Sequence, residues 1–138
     1  MKHKYLIDNK IPHGIYKPKK GDHRIPDWRE ARKEYGFDER ETWSLRSNFL
    51  GWLYERIKMY IDVCDCDLSY HIFKYDGKEY TQQQILDKIC KDIELYYNVD
   101  ECFFNETGKG IQEWWSEQPK FLREIGTLWG IVLPAMWW

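Results

Sequence analysis

Phe37-Asp38-Glu39-Arg40-Glu41-Thr42-Trp43-Ser44-Leu45-Arg46-Ser47-Asn48-Phe49-Leu50-Gly51-Trp52-Leu53-Tyr54-Glu55-Arg56-Ile57-Lys58-Met59-Tyr60-Ile61-Asp62-Val63-Cys64 is the stretch whose reading decides the fold. Turned about 100° per residue from Leu50, it puts Trp43, Leu53, Tyr54, Ile57, Tyr60, Ile61 and Cys64 on one broad face. Leu45, Phe49, Trp52, Met59 and Val63 fill the adjoining arc, and the polar strip is confined to Ser44, Asn48, Gly51, Glu55, Lys58 and Asp62. A helix apolar around so much of its circumference must be enclosed, by the rest of the protein or by a partner. Arg46 and Arg56 fall inside the apolar arc, where a guanidinium turned toward a core demands an anion. Asp38 begins the helix and Glu41 completes a capping box.

Elements read outward from this helix. Residues 1–26 hold Pro12, Gly14, Pro18, Gly21 and Pro26 without periodicity and are expected to form a basic extended arm, leaving 27–138 as a single helical domain. A short helix should run from Trp28 to Tyr35, capped by Asp27 and stopped by Gly36. Downstream, Asp76-Gly77 between two alternating segments is a hairpin signal over about 71–81. Thr81 and Gln84 then form a capping box for a helix over 82–97, with Ile85, Leu86, Ile89, Ile93 and Tyr96 on its apolar face. Residues 98–110 read as a loop, and Ile111 to Ser116 as a helical turn carrying Trp114 and Trp115. Pro119 is placed to open the last helix and Pro134 to end it. Gly126 and Gly130, one helical turn apart, would let a second helix approach and raise the expectation of a homo-oligomer. The fold class expected is therefore mainly α, an α+β arrangement around a long central helix of about 38–64 with one short hairpin.

Charge and composition narrow the function. The net charge of −2 hides an asymmetry, since residues 1–24 carry seven Lys or Arg against Asp8 and Asp22 while the remainder is acidic. Only the arm could touch nucleic acid, and so few cations without a groove give weak, salt-sensitive binding. Aromatics make up 17% of the chain, with eight Trp and ten Tyr, which favours either a densely filled core or a contact surface. With no apolar run or small-residue cleavage site over Met1 to Lys10, the chain is expected in a cytoplasm with Cys64, Cys66, Cys90 and Cys102 reduced. Ile125–Trp138, nearly all apolar, is shorter than the about twenty residues a membrane span needs.

The segments Phe37-Asp38-Glu39-Arg40-Glu41-Thr42-Trp43-Ser44-Leu45, His71-Ile72-Phe73-Lys74-Tyr75-Asp76-Gly77-Lys78-Glu79-Tyr80-Thr81 and Leu133-Pro134-Ala135-Met136-Trp137-Trp138 resemble those of a loose group of small, uncharacterised bacteriophage proteins. The similarity covers roughly residues 36–138. It implies viral origin and action in the cytoplasm of an infected bacterial host, and it implies no particular activity. Arg46 stands where that group would lead one to expect an acid.

Chemistry is sparsely signalled. Cys64-x-Cys66 with His71 is a weak zinc pattern, since structural sites present pairs with two to four residues between them. A Cys/His nucleophile lacks an oxyanion loop, and Asp65 and Asp67 disfavour a thiolate. The carboxylates are scattered, and Gly108-Lys109-Gly110 is too short to cradle phosphate. No catalytic set and no cofactor is implied. What remains is an arginine and aromatic set, Arg40, Trp43, Arg46, Trp52, Arg56, Trp114 and Trp115, which suits either a nucleotide, with forks for phosphate and rings for the base, or the hot spot of a protein interface. The leading expectation is a non-enzymatic phage accessory protein that binds and neutralises a host component, with bacterial immunity as the first candidate. The alternatives are a nucleotide-sequestering protein and, third, a small enzyme using Cys/His chemistry.

Overall fold

A computed structural model describes residues 16–97 and 104–137. The described residues are mainly α with a small β part. They form α1 (Ile25–Tyr35), a 3₁₀ turn (Glu39–Thr42), α2 (Leu45–Val63), strands β1 (Ile72–Tyr75) and β2 (Lys78–Thr81), α3 (Gln82–Tyr97), a short α4 (Phe104–Thr107), α5 (Ile111–Val132) and a final 3₁₀ turn (Leu133–Ala135). None of the helices is long and apolar enough to cross a membrane. The chain divides into two compact units, one within residues 12–53 and one within residues 54–138. The boundary falls inside α2. Most of the expected basic arm, residues 1–15, lies outside the described residues, as does the first part, 98–103, of the loop expected over 98–110; within its remainder Phe104–Thr107 is helical.

The first unit is organised by charge and aromatic rings. α1 starts at Ile25 rather than at an Asp27 cap, with Pro26 in its opening turn and Asp27 placed where the helix dipole favours an acid. Gly36 closes it in the left-handed conformation, φ 85°, donating its N–H to the Arg32 carbonyl. Asp38 is buried, but it does not open α2. Its carboxylate accepts from the Arg40 N–H and caps the 3₁₀ turn, while Glu41 is drawn to Arg32 instead of closing a capping box. Ser44, at a left-handed φ of 49°, breaks the path, so α2 begins at Leu45 and not at Asp38.

The second unit is built on α3 packed along α5, with β1 against α5 and β2 against α3. Its buried core comprises Tyr54, Ile57, Leu68, Ile85, Leu86, Ile89, Cys90, Ile93, Tyr96, Trp114, Ile125, Leu128 and Val132, each such aliphatic side chain contributing about 1.5–3 kcal/mol of burial. The hairpin pairs Phe73 with Tyr80 and Tyr75 with Lys78. Asp76 and Gly77 both take positive φ, 49° and 73°, as a two-residue turn with the strand twist requires. The expected box is formed at the start of α3, where the Thr81 N–H donates to Gln84 Oε1 and the Gln84 N–H to Thr81 Oγ1. Gln82, buried beside it, donates to the Ala135 carbonyl at 3.1 Å and so ties the last turn to α3. α5 departs from expectation: it starts at Ile111, and Pro119 lies inside it. The turn at Trp114 and Trp115 and the last helix are one element. Pro134 does end the α-helix.

α2 itself buries only one face. Leu50, Gly51, Leu53, Tyr54 and Ile57 are buried, whereas Leu45, Phe49, Trp52, Met59 and Val63 are exposed. The apolar arc is thus two faces, and the protein covers one of them.

Candidate partner-binding surface

In the first unit the uncovered side of α2 is a compact aromatic patch. Leu45, Phe49 and Trp52 follow one another at helical spacings of four and three, so they stack along one line. They are 62%, 44% and 46% exposed. The Phe49 and Trp52 rings lie 6.3 Å apart and nearly parallel, 14° between planes. Together with Glu41 and Asn48 these three residues line an open depression of about 350 Å³.

The patch is held by the turn that precedes it. Asn48 Nδ2 donates to the carbonyls of Arg40, Glu41 and Trp43 at 3.3, 3.0 and 2.7 Å, which fixes the first turn of α2 against the 3₁₀ turn. Behind that turn Asp38 accepts from Arg32 Nε at 2.8 Å and from Arg40 Nε and Nη2 at 2.8 and 2.6 Å. These guanidinium hydrogen bonds, Arg40's first, hold the Asp38 carboxyl down to about 2, and in return the Arg40 guanidinium is pushed further up. Trp28, buried, donates from Nε1 to Glu39 at 2.7 Å and lies under both Arg24, 4.7 Å, and Arg40, 4.5 Å. Trp43 closes the cluster edge-on to Trp28 at 5.7 Å, with Tyr16 beyond it at 5.9 Å.

The residues expected at a site therefore separate. Arg40 and Trp43 meet around Trp28, with the Arg40 fork occupied by Asp38 and its Nη1 by the Tyr16 carbonyl. Arg46 is exposed in the first turn of α2, and Trp52 belongs to the patch. Within the second unit, Arg56 is exposed and pairs with Glu55 at 3.7 Å. Neither Arg46 nor Arg56 points into a core, as the sequence had suggested; a guanidinium on the uncovered face keeps its hydration and needs no buried anion. Trp114 is buried against Tyr96 at 6.2 Å, and Trp115 is exposed and meets Trp114 edge-on at 4.7 Å.

Leu45, Phe49 and Trp28 were not among the expected site residues. The signal for the first two was present: a helix apolar all round has two stripes, and their spacing marks the second one. Nothing local distinguishes Trp28, whose role depends on Arg24, Arg40 and Glu39 meeting it.

Among the described residues no group of three or more His, Cys, Asp or Glu is placed to hold a metal ion. No family model matches this chain, and neither does any curated protein or solved structure.

Proposed function

We propose that this chain is a non-enzymatic phage accessory protein that binds a host protein through Leu45, Phe49 and Trp52 and neutralises it by occupying a surface, bacterial immunity being the first place to look. The carrying observation is the stacked, exposed Phe49 and Trp52 pair on a helix whose opposite face is buried. Large flat rings on a pre-formed helix offer contact area at small entropy cost, which is the usual make-up of an interface hot spot. The viral and host-directed part of the reading rests on the sequence resemblance.

The nucleotide reading draws on the same stack as a base platform. It takes second place because Glu41 borders the depression and the Arg40 and Arg32 guanidiniums beneath are committed to Asp38 and Glu41. Phosphates would meet an acid there.

Affinity capture from bacterial lysates with the wild-type chain and with Phe49→Ser/Trp52→Ser distinguishes these readings. One host protein recovered by the wild type and lost by the double variant, with unchanged melting temperature, supports the proposal. Recovery of none across several hosts sinks it. A nucleotide at a hundred times its dissociation constant should instead stabilise the fold by about 2.7 kcal/mol.

A further inference from the structure

The end of α2 brings two sulfurs together. The Cys64 N–H makes one last helical bond to the Tyr60 carbonyl at 2.9 Å, and the chain then turns so that the Cys66 N–H donates to Cys64 Sγ at 3.3 Å. The Cys66 backbone is thus held against the Cys64 sulfur, and the neighbouring Cys64 raises the Cys66 thiol above its ordinary value. Both cysteines are free, Cys66 exposed and Cys64 half-buried. Cys66 also lines a depression of about 250 Å³ shared with Asp67, His71, Gln82 and Trp137. That space admits a small oxidant, since a water molecule occupies only about 30 Å³.

We infer that Cys64 and Cys66 are a redox-active dithiol that closes to an intramolecular disulfide with a peroxide and is reopened by cellular thiols. The balance is simple. One sulfur attacks the peroxide, an S–O bond forms as the O–O bond breaks, and water leaves with the thiol proton. The second sulfur then attacks the first, the S–S bond forms, the S–O bond breaks and a second water leaves. Two thiols and one hydrogen peroxide thus give one disulfide and two waters.

Two features set this pair apart from an ordinary structural cysteine. Cys90 is buried in the core, where no oxidant reaches it, whereas Cys66 is exposed. Bridging residues only two apart strains the ring, and strained disulfides are the easily reduced ones. The pair is also coupled to the end of the described chain. Cys66 Sγ lies 3.8 Å from the Trp137 carbonyl, which accepts from the Tyr60 hydroxyl at 3.3 Å, so closing the ring removes one of the donors holding Trp137.

The test treats the full chain with a small excess of hydrogen peroxide, caps remaining thiols with a maleimide and maps them by peptide mass. The wild type should lose the mass of two hydrogens within the peptide holding Cys64 and Cys66, and millimolar glutathione should restore both thiols. Hydrogen exchange at the amides of 133–137 should rise on oxidation. Cys64→Ser and Cys66→Ser should each abolish the bridge and leave a sulfenic acid that dimedone traps on the remaining sulfur. Phenylarsine oxide, which needs two adjacent thiols, should bind the native wild type in one equivalent and neither variant. Independent oxidation of the two cysteines, a bridge to Cys102 or to a second chain, a bridge that survives glutathione, or absence of arsenical binding each overturns the inference.

Discussion

Asp92 on α3 and Glu124 on α5 set two carboxyl groups against each other, and the buried Asp92 Oδ2 meets no hydrogen-bond donor. Burial first, and then the neighbouring Glu124, push Asp92 up to about 8. Burial also works against the Glu124 charge, but hydrogen bonds from Asp92, from Lys88 at 3.0 Å and from the Tyr75 hydroxyl at 2.9 Å outweigh it and hold Glu124 below the ordinary range. One proton therefore sits between the two acids at neutral pH, on Asp92. The folded state holds it where the unfolded chain, with an aspartate near 3.8, does not. The stability this contributes is complete below the unfolded value and is lost as pH rises toward about 8. Stability of the wild type in thermal melts should decline from mildly acidic to mildly alkaline pH, by roughly 1.4 kcal/mol per pH unit across the range in which only the folded state is protonated. Asp92→Asn, which keeps a donor for Glu124, should flatten that decline; an unchanged slope would show that the proton lies elsewhere.

Asp38 has the opposite sign. Its folded value of about 2 lies below the unfolded 3.8, so the stability it contributes is present above the unfolded value and vanishes as pH falls toward 2. Asp38→Ala leaves the Arg32 and Arg40 forks and the Arg40 N–H facing an empty place, at a cost of about 2–3 kcal/mol. Because Arg40 lies over Trp28, near-ultraviolet circular dichroism should lose tryptophan signal in the variant. A native spectrum and native melting temperature would refute the network's role.

Gly77 tests the hairpin. A Cβ there would meet nothing within 4 Å, so any effect of Gly77→Ala is conformational. At φ 73° the alanine should cost about 1–2 kcal/mol, measured as a shift in denaturation midpoint with the slope unchanged. A neutral substitution would mean the turn is not of this type.

Pro119 supplies the inverse case. It is exposed inside α5, where it removes a backbone donor and crowds the preceding turn. Pro119→Ala should therefore stabilise the protein, by up to about 3 kcal/mol. Chemical denaturation would reveal it, and a loss of stability would place a break in α5 at that residue.

What the sequence by itself determined was what neighbours along the chain can decide. The Asp76-Gly77 turn, the Thr81 and Gln84 box, the Gly36 stop and the Pro134 stop depend on φ preferences and on hydrogen bonds spanning a few residues, and each stands as those local rules require. The apolar face of α3 was legible for the same reason, because a helix period is a local property. Tertiary structure decided which of two apolar stripes on α2 is covered, since burial depends on what packs against a face and not on the face. It set Trp114 inside and Trp115 outside, though both are equally hydrophobic. It brought Arg32 onto the carboxylate that already holds Arg40, turning Asp38 from a helix cap into the anchor of two arginines, and buried Asp92 beside Glu124, because a partner on another element leaves no periodic trace in the chain. The candidate surface falls on this second side of the division: Leu45, Phe49 and Trp52 were readable as apolar, and only the fold left them uncovered.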